Sequence, residues 1–421
     1  MLLDKLPHEL ALMVLEYVAN DPKTLISTSQ TCHVLHHISK NNNLWSAACE
    51  SLLDETGYHP EWTQQGIIDY YDLYRTQIIL EKNLSRAIEA GQGSLGNCVG
   101  YFGVRCRRII VRLQSMYPGN EQLASLGRMI PIIDGYETLH HLSMGPPDFV
   151  DVVLALNKFW IGTQGYWVNP NFVHPDAVVL QVQHDLPPVT QDSALAYKLL
   201  RQKLLMFGLL CEESTQSHGS VFISARSEDL SPLGRAAILC YCARKLGYKA
   251  NVVNFVNIYV RIEVGSRVAY ADINRGGKLR SDQELIDLFG SYSFIMSGDP
   301  RTKLKSTPFH ELAELAVDTC ITWLGSAFFL PSDTRLFALL GLTSLKNLLL
   351  PRETDNIFRA LRIVPDRFET EKHTLTVAFQ RIHGLLDDNF VNEIEVLTKV
   401  ILPDSRDTNE TNETNETGVE V

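Results

Sequence analysis

The feature that most constrains this fold is a helical pattern within the first fifty residues. Apolar side chains recur there at i, i+3, i+4 and i+7, which predicts one apolar stripe on one helix: Leu10, Met13, Val14 and Tyr17. A breaker at residues 20–22 precedes a second helical stretch at about residues 24–32. Segments below about 40–60 residues bury too little apolar surface to be stable folds by themselves. These apolar residues therefore need a partner, which is either the rest of this chain or another protein.

Five groups of residues follow one another in this segment: Leu6-Pro7-x-Glu9-Leu10, Val14-Leu15-x-Tyr17-Val18, Thr24-Leu25-Ile26, Ser29-Gln30-Thr31-Cys32-His33-x-Leu35 and Leu44-Trp45. Their order and spacing resemble an F-box, a short helical module that binds the Skp adaptor of a cullin-based ubiquitin ligase. The resemblance implies these adaptor contacts: Leu6, Pro7, Leu10, Val14, Leu15, Leu25, Ile26, Leu44 and Trp45. The alternative is an ordinary helical N-terminus that packs on its own domain.

Length and charge limit the classes of function. The chain has 421 residues, enough for two or three domains. Its 38 Lys and Arg residues are outnumbered by 49 Asp and Glu residues, and the net charge is -11. No nucleic-acid partner is expected, because phosphate binding depends on concentrated positive charge. Arg105, Arg108 and Arg112 share a predicted helical face, which we interpret as a solvated basic face rather than a phosphate site.

Cysteine usage and hydropathy favour a reduced, intracellular protein. The eight cysteines include no CxxC pair, and a disulfide framework is not expected in a chain of this length. The N-terminus lacks the basic and apolar regions of a secretory signal. The longest apolar stretch, Trp323 to Leu330, is far shorter than the ~20 residues that span a membrane. We therefore expect a soluble protein of the cytoplasm and/or nucleus, with no cofactor, metal site or membrane partner.

The second informative stretch is residues 230–279. Ser231 is a good N-cap and Pro232 suits a first helical position. The following side chains are apolar nearly all round, which predicts a buried central helix. Alternating apolar residues then predict one strand over residues 250–264 and a second over residues 268–273. The stretch therefore predicts a buried helix followed by an antiparallel hairpin.

This stretch resembles the transglutaminase-like, or papain-like, core of SirB-type proteins. The matching positions are Pro232, Ala243-Arg244-x-Leu246-Gly247, Val253-Asn254-Phe255, Arg261, Tyr270-x-Asp272, Gly277 and Leu279. A similar core follows an F-box in one group of F-box-only proteins. In that group a β-rich module similar to a hemimethylated-DNA-binding domain often comes next. Residues 301–400 have helical patterns here instead, so DNA binding is not carried over.

Enzymes with this core place a Cys at the N-terminus of the helix, a His on the next strand and an Asp on the strand after that. The resemblance puts these positions at Pro232, Asn257 (or Ile258, if the alignment shifts by one) and Asp272, so only the Asp is retained. No His occurs from residue 219 to 309, and we interpret Ser231 as an N-cap rather than a nucleophile. The resemblance implies a non-catalytic core, and we expect no enzyme activity.

These observations together predict an α+β fold in five parts: a three-helix F-box at 1–55, a helical connecting region at 56–190, the transglutaminase-like core at 191–300, a helical C-terminal region at 301–402 and a disordered polar tail at 403–421. The predicted function is recognition of an unknown protein target for an SCF-type (Skp, cullin, F-box) E3 ubiquitin ligase. Two alternatives remain open. One is an F-box protein that works with the adaptor outside ubiquitin ligation, and the other is a divergent cysteine or serine hydrolase.

Overall fold

The computed structural model describes fourteen stretches of the chain: residues 7–18, 21–31, 33–56, 68–89, 95–162, 175–186, 193–212, 219–223, 230–264, 267–292, 299–326, 332–349, 355–362 and 364–399. The chain divides into two compact units. The first unit is drawn from Met1–Gly127 and His373–Val421, and the second is Arg128–Lys372. The boundaries predicted at residues 55, 190, 300 and 402 stay predictions, and the predicted tail lies outside the described residues.

The first unit is helical throughout its described part. It contains α1 (His8–Tyr17), α2 (Pro22–Ser29), α3 (His33–Ser39), α4 (Asn42–Thr56), α5 (Tyr70–Glu89), α6 (Leu95–Phe102), α7 (Arg107–Met116), the start of α8 (Glu121–Ser143), the larger part of α18 (Glu369–Ile382) and all of α19 (Asp388–Lys399). A 3₁₀ turn at Gly103–Cys106 joins α6 to α7.

Four helices rather than the predicted three lie between Pro7 and Thr56. The predicted second helix ends early, at Ser29: the amide of Gln30 still bonds to the carbonyl of Ile26, four residues back, but the amide of Thr31 bonds to that of Thr28, only three residues back. These bonds close a turn, after which the chain begins α3. Pro7 is the N-cap of α1.

Helices from early and late parts of the sequence meet in the first unit, where α18 packs on α6 and α19 packs on α5 and α6. The backbones approach so closely that a Cβ atom at Gly100 would lie 2.7 Å from the carbonyl oxygen of Thr374. Only glycine fits such an approach. The C-terminal helices are therefore a structural part of the unit that contains α1–α4.

The predicted solvated basic face is corrected by the structure. The guanidinium of Arg108 donates two hydrogen bonds to the Glu81 carboxylate of α5, at 2.9 and 2.8 Å. Nε of Arg105 donates to the side-chain oxygen of Gln77, also on α5, at 3.2 Å. Arg112 is exposed. Two of the three arginines thus hold neighbouring helices together, which the sequence pattern of one helix cannot reveal.

The second unit combines helices with one small sheet. Its remaining helices are α9 (Phe149–Ile161), α10 (Pro175–Asp185), α11 (Ser193–Met206), α12 (Pro232–Lys245), α13 (Asp282–Tyr292), α14 (Pro300–Lys303), α15 (Phe309–Ser326), α16 (Ser332–Leu349) and α17 (Asp355–Arg362). The strands are β1 (Ala250–Asn254), β2 (Ile258–Val264), β3 (Arg267–Asp272) and β4 (Lys278–Arg280). They pair in the order β1-β2-β3-β4, with every pair antiparallel.

The predicted helix and hairpin are present, but the predicted first strand is wrong in one respect. Residues 250–264 form two antiparallel strands, because the amide of Phe255 bonds to the carbonyl of Asn257 at 2.9 Å and reverses the chain. The helix α12 has buried side chains on all sides and packs on β1 and β2. The described part of the chain is thus mostly helical, with a small antiparallel sheet. Among the residues that the structure describes, none of the helices has the length and apolar character to cross a membrane.

Candidate functional site

The helix α1 carries apolar side chains on two opposite faces. Ala11 and Leu15 are buried, each with 1 % of its surface exposed. The stripe predicted from the sequence points the other way, and its exposed fractions are 48 % for Leu10, 62 % for Met13, 46 % for Val14 and 90 % for Tyr17. Because large apolar side chains rarely lie together in water without a role, this face is a candidate binding surface. We call these four residues the α1 face.

A compact core lies beneath the α1 face. It is formed by Ala11, Leu15, Leu25, Leu35, Ile38, Leu44 and Trp45. The indole of Trp45 is 1 % exposed, and its Nε1–H donates to the carbonyl of Ser39. A buried indole with a satisfied N–H is a stable centre for a small core. The inward side of α1 is therefore fixed while the α1 face stays exposed.

The helix α2 begins at a well-formed cap. The carboxylate of Asp21 accepts hydrogen bonds from the amide of Lys23 and the hydroxyl of Thr24, at 3.1 and 2.6 Å. The Thr24 hydroxyl, together with the backbone amides, holds the pKa of Asp21 below its ordinary value. This cap fixes the start of the helix that carries Ile26, of which 36 % is exposed.

The nine predicted adaptor contacts fall into two groups. Pro7, Leu10, Val14 and Ile26 are exposed, whereas Leu15, Leu25, Leu44 and Trp45 are buried in the core beneath α1; Leu6 lies outside the described residues. The four buried residues shape the surface without being part of it.

Three exposed residues were missing from the predicted contacts: Met13, Tyr17 and Val34, the last with 46 % of its surface exposed. Met13 and Tyr17 belong to the same i, i+3, i+4, i+7 series as Leu10 and Val14, so periodicity alone could have included them. Val34 on α3 has no comparable signal in the sequence.

The second candidate region is the start of α12 and the sheet that follows it. Oγ of Ser231 accepts a hydrogen bond from the amide of Gly234 at 3.1 Å, and the amide of Ser231 bonds to the carbonyl of Ser220 at 3.0 Å. Ser231 is thus an N-cap, and Pro232 occupies the first turn. Asn257 is exposed in the turn between β1 and β2 rather than on a strand.

Asp272 is directly opposite Tyr259 in the pairing of β2 with β3. Residues opposite each other share a face of the sheet. Tyr259 belongs to a core cluster that includes Leu285 and Phe289, both on α13. Asp272 therefore lies on the α13 face. The alternating residues Val260, Ile262 and Ala271 are buried on the other face, against which α12 packs.

The carboxylate of Asp272 is held by a cation. Nε of Arg280 donates to its Oδ2 at 2.7 Å, and side-chain exposures of 20 % for Arg280 and 4 % for Asp272 make this a largely buried ion pair. The Asp272 carboxylate raises the pKa of Arg280. Burial, and then the nearby Asp272, raise the pKa of Tyr259. The position that would orient a catalytic His is thus bonded to an arginine.

The turn after Asp272 is clamped by α11. The hydroxyl of Tyr197 donates to the carbonyl of Gly277, and Nε of Arg201 donates to the carbonyl of Gly276 at 2.7 Å. Gly276 has a φ of +61°, and a Cβ atom added to it would lie 3.2 Å from the carbonyl oxygen of Cys211. These bonds attach the turn that follows β3 to α11.

The thiols of α12 are buried and protonated at neutral pH. Both Cys240 and Cys242 have no exposed surface. Burial raises the pKa of Cys240 to about 12 and raises that of Cys242 as well. Thiols in such surroundings behave as small apolar side chains. Within the described part of the chain, no group of three or more His, Cys, Asp or Glu side chains is arranged to hold a metal ion.

Comparison with known proteins assigns the first region to a class. Residues 3–51 match the family model described as F-box-like, a span that ends within α4. The N-terminal part of this chain is therefore an F-box-like domain, and such domains generally bind Skp-type adaptors. No curated protein and no solved structure matched the chain. The SirB-type resemblance of residues 230–280 stays a prediction.

Proposed function

We propose that this protein is the substrate-recognition subunit of an SCF-type E3 ubiquitin ligase. In this proposal the F-box-like domain binds a Skp-type adaptor and, through it, a cullin. The observation that carries the proposal is the α1 face: four large apolar side chains remain in water on a domain that fills its own core with other residues. Burying such side chains against a partner is favourable by about 25 cal/mol per Å² of apolar surface.

The test is a matched pair of substitutions at exposed methionines. Met13 on the α1 face is 62 % exposed, and Met206 at the end of α11 is 64 % exposed. Met13→Glu should lower the affinity for a purified Skp-type adaptor at least ~30-fold, because it places a charge in an apolar contact. Met206→Glu should leave the affinity unchanged. Equal binding by wild type and Met13→Glu would reject the α1 face as the adaptor site.

Co-purification distinguishes the ligase from its nearest alternative. An F-box protein that works outside ubiquitin ligation would recover the adaptor without a cullin. We expect the tagged full chain to recover both, and we expect Met13→Glu to lose both together. An unknown protein target that stays bound to Met13→Glu would be the substrate candidate. We place this function in the cytoplasm and/or nucleus.

We further propose that residues 191–300 form a non-catalytic, transglutaminase-like scaffold and that the protein is not an enzyme. The buried helix α12 packed on an antiparallel sheet supports the resemblance. The absence of catalysis is supported by Ser231, whose Oγ caps α12, and by Asp272, which pairs with Arg280 on the α13 face.

Thiol labelling tests the scaffold proposal and its hydrolase alternative. Cys211 is partly exposed, whereas Cys240 and Cys242 are buried. With a pKa of about 12, Cys240 has roughly one thiolate in ten thousand molecules at pH 8. Iodoacetamide should therefore modify Cys211 in the native protein, and Cys240 and Cys242 only after denaturant is added. Rapid native labelling of Cys240 would favour a hydrolase instead.

A further inference from the structure

The core of the F-box-like domain does not end where the family match ends. Tyr70, Tyr71 and Tyr74, in the first turns of α5, pack against the cluster around Trp45. The ring of Trp45 meets the ring of Tyr71 edge-on, with centroids 5.2 Å apart, and the ring of Tyr74 at 5.1 Å. All three tyrosines follow residue 51, where the match stops.

Hydrogen bonds join α4 to α5 at the same place. Nδ2 of Asn42 donates to the carbonyl of Ile68, and Oδ1 of Asn42 accepts from the amide of Tyr70, both at 2.7 Å. The thiol of Cys49 donates to the carbonyl of Tyr70 at 3.2 Å, and burial raises the pKa of this thiol to about 12, so it keeps its proton. One asparagine thus satisfies two backbone groups at the start of α5, 26 and 28 residues away along the chain.

We infer that Tyr71 and Tyr74, with Asn42, are positioning residues for adaptor binding. They support Trp45, and Trp45 lies in the same cluster as Ala11 and Leu15, the inward residues of α1. The α1 face is the outer side of that helix. The inference rests on the proposed function, and it assigns the start of α5 to the adaptor-binding module although no residue of α5 needs to touch the adaptor.

The physical reason is the small size of the module. The core cluster beneath α1 has only seven buried residues among those that the structure describes, so a few lost contacts lower the fraction of molecules that present an ordered α1 face. The apparent affinity for the adaptor falls in proportion to that fraction. A positioning residue therefore slows association, whereas a residue within the interface mainly speeds dissociation.

The experiment uses full-length protein and a purified Skp-type adaptor, with both rates measured by surface plasmon resonance. The pair Tyr71→Ala with Tyr74→Ala should weaken binding about tenfold or more, the size expected for two lost aromatic pairs. The loss should appear in the association rate. The pair Tyr71→Phe with Tyr74→Phe keeps both rings, and its affinity for the adaptor should be within about twofold of wild type. Arg75→Ala, an exposed position on the same turn of α5, is the matched control and should not change either rate.

A second variant checks the hydrogen bonds without changing the rings. Asn42→Ala removes both bonds to the start of α5. It should slow association as the alanine pair does, and hydrogen exchange should show faster exchange over residues 33–56 with no change over residues 232–245. An alanine pair that binds as tightly and as quickly as wild type would overturn the inference while leaving the proposed function intact. Failure of the wild type to bind the adaptor would overturn both.

Discussion

The F-box-like domain and the region around α12 both have fully buried cores. They differ in whether a helix of the region also exposes large apolar side chains to solvent. The domain leaves Leu10, Met13, Val14 and Tyr17 exposed on one helix. The helix α12 has buried residues on every side, and the carboxylate beside its sheet is paired with Arg280. This difference is the basis of our proposal that the first region binds a partner and the second is a scaffold.

The largest expected effect tests the core beneath the α1 face. Trp45→Ala should destabilise the F-box-like domain by about 4 kcal/mol, because it leaves a cavity and removes two aromatic contacts. Adaptor binding should be lost with it. The matched control is Trp323→Ala on α15. It removes a buried indole whose ring centroid lies 5.4 Å from that of Trp160. That variant should unfold more easily while it still binds the adaptor, as thermal unfolding and titration calorimetry can show.

The next effect tests the ion pair between Asp272 and Arg280 in the region around α12. Asp272→Ala leaves the Arg280 guanidinium, whose side chain is 20 % exposed, without its carboxylate. Unfolding should become easier by about 2–3 kcal/mol. Lys249→Ala, which breaks an exposed pair with Glu263 at 3.5 Å, should change stability by less than about 0.5 kcal/mol. A change in adaptor affinity in Asp272→Ala would contradict the division into binding and supporting regions.

A smaller effect should come from the α1 face itself. Leu10→Ala with Val14→Ala removes apolar contact area without emptying a core, since both side chains are about half exposed. Adaptor binding should weaken by about 2 kcal/mol, roughly 30-fold, through faster dissociation. The melting temperature should stay within about 2 °C of wild type. A large drop in melting temperature would mean that these residues belong to the core.

The smallest effect concerns pH. The pKa of Asp21 is lowered in the folded protein, chiefly by the Thr24 hydroxyl, from its ordinary value of about 3.9. The contribution of the charged cap is therefore fully present above that ordinary value and is lost as the pH falls through the lowered one. Asp21→Asn keeps the cap without a titrating group. Hydrogen-exchange protection of the α2 amides, corrected for the intrinsic pH dependence of exchange, should fall below about pH 4 in wild type and stay nearly constant in Asp21→Asn.

The sequence predicted the α1 stripe because helical periodicity is a local property. It did not predict that Leu10 is exposed and Leu15 is buried, because the side of α1 that faces the core depends on Trp45 and on α5. The tyrosines of α5 were missed as partners of the domain for the same reason. They lie more than 20 residues after Trp45 in sequence, and no local pattern connects them to it.

In the second unit, local sequence patterns alone do not give the correct secondary structure. Residues 250–264 alternate like one strand, yet the chain reverses at Phe255–Asn257 without a glycine or proline to mark the turn. The helix α8 contains Pro131 and still runs from Glu121 to Ser143, although proline normally ends or kinks a helix. Asp272 was correctly placed at the end of a strand, but its face depends on the register of β2 with β3, which the sequence does not specify.

The packing of α18 and α19 on α5 and α6 has a consequence for synthesis on the ribosome. The helices α1–α7 emerge first, but α18 and α19 follow only after roughly 250 further residues. At about 5–20 residues per second, this interval is on the order of 10 to 50 s. During that time the surfaces of α5 and α6 that later meet the C-terminal helices are uncovered. A chain that ends before residue 373 would carry the complete F-box-like sequence without the helices that pack on α5 and α6.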